Sequence, residues 1–266
     1  LLLLLVLRAV TLPGAGEGIA FLLTPDFSKV TGQTFISATA QAFFSLSIGM
    51  GVMITYGSYL QRDSHLPRST LIIVLLDVSV AVLAALMILP AVFAVGLDPS
   101  AGPGLTFITL PAVFASLPFG NLLGVLFFAL LAIAALTSAV SIREPMVAWA
   151  VDERGLSRRG ATWVAAAVCL LLAVPASLSF GPLSEATLAG RTFFDWMDFL
   201  ANTVMLPLGG LLVASFIGWR WAAPACQALS NDSRLTLPWL PAWILLLRFA
   251  APVAIVAMVW NAFTNA

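Results

Sequence analysis

The chain has 266 residues, 61% of them hydrophobic and 9% charged, with a mean hydropathy of +1.05. A soluble domain carries about 25% charged residues, so this composition excludes an ordinary water-soluble fold and indicates a polytopic membrane protein. The 12 basic and 12 acidic residues balance and form no basic run, which argues against a nucleic-acid partner and leaves net charge no steering role.

In chain order, Leu1 to Val10 (LLLLLVLRAV) reads as the tail of a transmembrane helix. It lacks the initiating Met and basic leader of a signal peptide, so the chain is expected to start inside a longer reading frame. Thr11 to Gln33 then forms an outer loop. Apolar stretches of about 20 residues or more follow at 36–60, 69–96, 119–150, 161–180, 193–219 and 239–263. Between them, Leu97 to Pro118 is rich in Pro, Gly and Ser and long enough to hold a re-entrant or surface helix. With the 36–60 span entering from outside, Arg62, Arg68, Arg154, Arg158, Arg159, Arg220 and Arg234 fall on the inner side. Only Lys29 and Arg191 fall outside, with Arg8 near one end, which is a positive-inside bias.

The 36–60 span differs from its neighbours. Phe43 to Tyr59, FFSLSIGMGVMITYGSY, places Ser47-Ile48-Gly49-Met50-Gly51 in the middle of an otherwise apolar run. Inside lipid every backbone N–H and C=O must be satisfied, so such a stretch points to a broken helix whose unwound backbone lines a cavity. In LAIAALTSAVSI, Thr137 and Ser138 stand mid-helix one turn after Ala134. Their hydroxyls and any freed carbonyls are oxygen ligands for a small hard cation, although mid-helix Ser and Thr also bond back to their own helix. Asp77 lies well inside the 69–96 span, where a carboxylate must be paired, hydrated or neutralised. A cation held with Ser45 and freed carbonyls would supply its counter-charge; the alternative is a protonated acid bonded to a carbonyl.

Other residues carry less. Cys169 lies mid-span and Cys226 in an inner loop, so they read as free thiols, and His65 reads as a solvated loop histidine. No HExxH, paired CxxC, P-loop or GxSxG motif occurs. An intramembrane aspartyl protease would need two embedded carboxylates, but Asp198 sits at the edge of its span and no GxGD is present. A non-transporting binding or scaffold protein remains the other alternative.

FFSLSIGMGVMITYGSY, LTFITLPAVFASLP, LAIAALTSAVSIREP and FFDWMDFLANTVMLPLGG, in this order, resemble the second half of the neurotransmitter:sodium symporter family, in its bacterial amino-acid branch. The resemblance covers nearly the whole chain. It implies an all-α fold of two inverted five-helix repeats, with substrate and sodium at their interface beside broken helices. This chain would hold the second repeat: 1–10 as part of the fifth helix, 36–60 as the broken sixth, then the seventh to the eleventh at the spans given above. Helices one to four would belong to the rest of the same protein.

The resemblance also implies roles. Phe44, Ser45, Ser47 and Met50 match substrate-contacting positions on the broken helix, and Ala139 and Ile142 match the facing helix, giving a roomy apolar pocket. Ser45 and Asp77 match sodium site one; Ala134, Thr137 and Ser138 match sodium site two. Gly49 and Gly51 suit the hinge, since glycine tolerates unusual backbone angles. Asp198 matches the outer gate acid, with Asp195 as the nearby alternative. A fixed charge on Asp77 would replace chloride, so chloride should not be required. Arg143 departs from the family's apolar residue and stands next to Glu144, where it would pair locally or reach inward, and Arg248 would reach the inner interface. The implied activity is sodium-coupled symport of a neutral, hydrophobic or aromatic amino acid across the plasma membrane by alternating access. The piece alone is expected to be inactive.

Overall fold

Proline and glycine interrupt the apolar runs, and the helices follow those interruptions. The computed structural model describes residues 2–61, 64–96, 105–116, 119–230 and 235–264, without the side chains of Ile108 and Ser116. Leu1, Arg62, residues 97–104, Leu117, Pro118, Arg234 and the end of the chain at 265–266 lie outside them. The helices are α1 (Leu2–Val10), α2 (Ala15–Leu23), α3 (Gly32–Ser45), α4 (Val52–Ser58), α5 (Leu66–Ala94), α6 (Leu110–Ser116), α7 (Gly120–Asp152) and α8 (Arg158–Leu178). They continue with α9 (Phe193–Arg220), α10 (Ala222–Leu229) and α11 (Leu240–Thr264).

Among the described residues, α5, α7, α8, α9 and α11 are each long and apolar enough to cross a bilayer. The fold is therefore an all-α polytopic membrane fold, and its broken span is real: α3 and α4 flank a non-helical stretch in the middle of 36–60. One segment differs from the sequence reading. The expected outer loop after α1 contains α2, which turns 112° from the α1 direction. Gly14, at φ +85°, supplies the corner between them.

The chain divides into two units. The first comprises 1–30 and 71–139. Its core joins Leu5 and Ala9 of α1 to Met87 and Val92 of α5, Val113 and Phe114 of α6, and Phe127 of α7. Val92 and Val113 are fully buried, and the Phe114 and Phe127 rings pack with centroids 5.4 Å apart. Helix α2 lies directly on the backbone of α5: a Cβ at Gly18 would come within 2.7 Å of Pro90 Cα and 2.8 Å of the Leu89 carbonyl group.

The second unit comprises 31–70 and 140–266. Here α3 packs on α9 and α11, and the Phe194 N–H at the start of α9 donates to the buried Ser179 Oγ beyond α8 (3.2 Å). Helix α9 widens into π-helical turns at Phe199–Met205 and Phe216–Arg220, and α11 does so at Leu246–Ala250. Such turns release carbonyls from the helical ladder and often sit at functional sites. Arg248 donates from Nε to the Gly218 carbonyl at 2.5 Å, two residues before Arg220, and lies over the Trp219 ring. A guanidinium within a span needs an acceptor, and the π-turn provides one. Large side chains such as Leu75 and Leu76 face outward, since lipid as a solvent does not drive them inside.

The α2 contact gives a direct test. Gly18→Ala should lower the thermal midpoint of the detergent-purified protein through overpacking of about 1–3 kcal/mol. Gly16→Ala, in open space on the same helix, should leave it unchanged or raise it, because Ala is favoured over Gly in a helix by about 1 kcal/mol. Equal effects of the two substitutions would contradict the close approach of α2 to α5.

Candidate functional site

Helix α3 ends in a Schellman turn. The Ile48 N–H bonds the Phe43 carbonyl (2.9 Å) and the Ser47 N–H bonds the Phe44 carbonyl (3.1 Å), with Ser47 left-handed at φ +53°. Glycine usually fills that position; a side-chain-bearing residue there costs about 1–2 kcal/mol. Strain of this kind is kept where the local conformation has a use. Gly49 (φ +89°) and Gly51 (φ +78°) continue the unwound path, and α4 restarts at Val52. Phe44, Ser45, Ser47, Gly49, Met50 and Gly51 thus lie together on one helix end and its turn.

Helix α7 carries the other candidates in two adjacent rows. Ala134, Ser138 and Ile142 follow one i, i+4 line; Thr137 and Ser141 follow the next, with Glu144 three residues further on. The Thr137 hydroxyl donates to the Ala134 carbonyl at 2.8 Å, so two oxygens of the expected second sodium site are neighbours. Ala139 follows Ser138 on the same helix. Asp77 sits in the interior of α5, roughly 16 Å along the axis from the helix start. Asp77 belongs to the first unit and Ser45 to the second.

Asp195 and Asp198 have different hydrogen-bond partners. Asp195 is engaged in a capping box: its Oδ2 accepts from the Thr192 N–H (2.9 Å) and hydroxyl (2.7 Å), while its own N–H returns to Thr192 Oγ1 (3.2 Å). Asp198 accepts from Asn202 Nδ2 at 2.7 Å, beside the π-turn of α9. Arg191 lies over the Phe199 ring at 4.3 Å and near the Trp196 ring at 5.5 Å.

One cluster was missed by the sequence reading. Tyr56 donates to Ser141 Oγ and Tyr59 to Glu144 Oε1, both at 2.7 Å, while Arg158 Nη2 at the start of α8 bonds the same Glu144 oxygen at 2.6 Å. Glu144 is buried and ties α4, α7 and α8 together. The signal for it was the matched i, i+3 spacing of the tyrosines in YGSY and of Ser141 and Glu144 in SIRE. Arg143, expected to pair locally or reach inward, leaves its Nε buried with no hydrogen-bond partner among the described residues, while Glu144 bonds Tyr59 and Arg158.

The sequence pattern of the sodium:neurotransmitter symporter family matches residues 1–266. This chain belongs to that family. The family is one of secondary transporters, not enzymes. An uncharacterized sodium-dependent transporter of Bacillus subtilis (strain 168), YhdH, is 42% identical over 98% of this chain and 58% of its own length. One from Haemophilus influenzae (strain ATCC 51907 / DSM 11121 / KW20 / Rd) is 38% identical over 96% of this chain and 55% of its own. Among solved structures, MhsT in complex with L-phenylalanine matches with a TM-score of 0.86 and 46% identity, over 98% of this chain and 59% of MhsT. The chain thus spans a little over half the length of these relatives, and the symporter fold of which it is a part contains the broken helix described above.

The Glu144 cluster makes a measurable contribution to this symporter half. Glu144→Ala leaves the Tyr59 hydroxyl and Arg158 without their acceptor and should cost about 1–3 kcal/mol, read as a lower thermal midpoint. Glu144→Gln, which keeps an acceptor oxygen, should cost less. An unchanged midpoint in Glu144→Ala would show that the cluster does not hold α4 to α7.

Proposed function

We propose that this chain forms the second half of a symporter that couples sodium entry to uptake of a neutral, hydrophobic or aromatic amino acid. The observation that carries this reading is the unwound, strained Ser47–Gly51 stretch in the middle of an apolar span. Backbone without a helical partner at membrane depth is tolerated where it lines a cavity or is covered by protein, and ion and substrate sites of transporters use such backbone. Family membership and the L-phenylalanine held by MhsT support the substrate class.

In this reading Phe44, Ser45, Ser47 and Met50 form one wall of the pocket, and Ala139 and Ile142 the facing one. The Ala134 carbonyl with the Thr137 and Ser138 hydroxyls holds one sodium, and Ser45 with Asp77 contributes to a second. Hydroxyl and carbonyl oxygens suit a hard monovalent cation, and a carboxylate supplies the charge. Gly49 and Gly51 act as the hinge. Asp198 acts as the outer gate acid by its match to the family motif, while Asp195 caps its own helix start. Ligands from the first half complete the site, so the residues of this chain alone leave each ion partly coordinated and the half by itself does not transport.

The test is uptake of labelled phenylalanine into proteoliposomes holding the longer protein, with an inward sodium gradient and the present chain run in parallel. Sodium-driven uptake by the longer protein alone is expected; sodium-independent uptake, or none, would overturn the reading. Replacing chloride by gluconate should leave the rate unchanged, whereas Asp77→Ser should create a chloride requirement. A chloride requirement in the unsubstituted protein would contradict the role given to Asp77.

A further inference from the structure

The unwound turn rests on the backbone of α9. A Cβ built on Gly49 would lie 2.8 Å from the Gly210 nitrogen and closer still to the Leu206 carbonyl oxygen. From the other side, a Cβ on Gly209 would lie 3.1 Å from Gly49 Cα and collide with the Gly49 oxygen. A Cβ on Gly210 would enter the ring of Phe43, 3.1 Å from Cδ1. Phe43 is the residue whose carbonyl closes the Schellman turn with the Ile48 N–H. Three glycines thus let two main chains meet without side chains between them. All of these residues belong to the second unit.

We infer that Gly209 and Gly210 are positioning residues: the LPLGG segment of α9 is the seat that fixes the conformation of the Ser47–Gly51 turn and, through it, the ligand groups of Phe44 to Met50. The inference rests on the proposed transport role only for its functional consequence. The two glycines differ from Gly49 in a way that makes the contact separable. Gly49 is left-handed, so any substitution there is strained by its own backbone. Gly209 and Gly210 lie inside a helix without positive φ. Alanine there is intrinsically better for the helix than glycine, and its cost arises from collision with the turn.

The two collisions also differ. Gly210→Ala meets a side chain, and shortening Phe43 makes room for it. Gly209→Ala meets the Gly49 main chain, which no side-chain truncation removes. Coupled substitutions of residues in contact are non-additive, and this non-additivity is the signature of a direct contact.

The experiment uses the longer protein and reads amide hydrogen exchange over residues 46–51 together with sodium-driven phenylalanine uptake. Wild type is compared with Gly209→Ala, Gly210→Ala, Phe43→Ala, the Gly210→Ala/Phe43→Ala pair, the Gly209→Ala/Phe43→Ala pair and Gly57→Ala, which lies in open space. Gly209→Ala and Gly210→Ala should each speed exchange of the turn at least tenfold with α8 exchange unchanged, and raise the half-saturating sodium concentration. Phe43→Ala should restore the Gly210→Ala protein towards the Phe43→Ala value and leave Gly209→Ala impaired. Gly57→Ala should behave as wild type. Unchanged exchange of the turn in both glycine variants, or additive effects in the Gly210→Ala/Phe43→Ala pair, would overturn the seat. Wild-type protein without sodium-driven uptake would refute the transport role while the exchange data still decide on the seat.

Discussion

Inside a bilayer no water is at hand to bond a free N–H or C=O, so every departure from helix in this chain has to be covered by something else. At Ser47–Gly51 the turn closes on itself through the Phe43 and Phe44 carbonyls and then lies against the Leu206–Gly210 backbone. At the π-turn of α9 the Gly218 carbonyl is covered by Arg248. Past the end of α8 the Ser179 hydroxyl bonds the Pro175 carbonyl (2.9 Å) and receives the Phe194 N–H. The same demand acts at each place, and it is met by glycine contact, by a half-buried guanidinium and by a hydroxyl in turn.

The demand also explains why the two halves of the broken helix are held differently. The α3 end is held by backbone, through a close approach that leaves no room for a side chain. The α4 half is held by side chains: Tyr56 on Ser141, and Tyr59 on the Glu144 that Arg158 also binds. Side-chain hydrogen bonds to hydroxyls and carboxylates can break and re-form at a cost of about 0.5–3 kcal/mol each, more for the carboxylate. A backbone seat without side chains offers no such gradual release. The turn therefore has one side held by backbone and one side held by side chains.

How much of this was written in the sequence depends on range. The break in the 36–60 span was legible because glycine and serine inside an apolar run leave few other readings. The split between Asp195 and Asp198 was partly legible, since TFFD is a capping-box pattern with the acid three residues after Thr192. Helix α2 was not legible: AGEGIAFLL is short, follows Pro13 and Gly14 and carries two glycines, and its packing on Pro90 joins residues far apart in the chain. The Gly209–Gly210 seat and the Arg248–Gly218 bond join residues far apart in the chain, and no local pattern marks them. The same holds for the burial of Glu144, whose neighbour Arg143 looked like the natural partner until Tyr59 and Arg158 were in place.

The account turns on the broken helix being the place where ligand is held. The most direct measurement is the rate at which a thiol reagent modifies Met50→Cys in the longer protein, with Cys169 and Cys226 replaced by serine. The account predicts that sodium with phenylalanine slows modification at least tenfold, while potassium with phenylalanine does not. A rate unaffected by sodium and amino acid, in protein that still takes up phenylalanine, would contradict it.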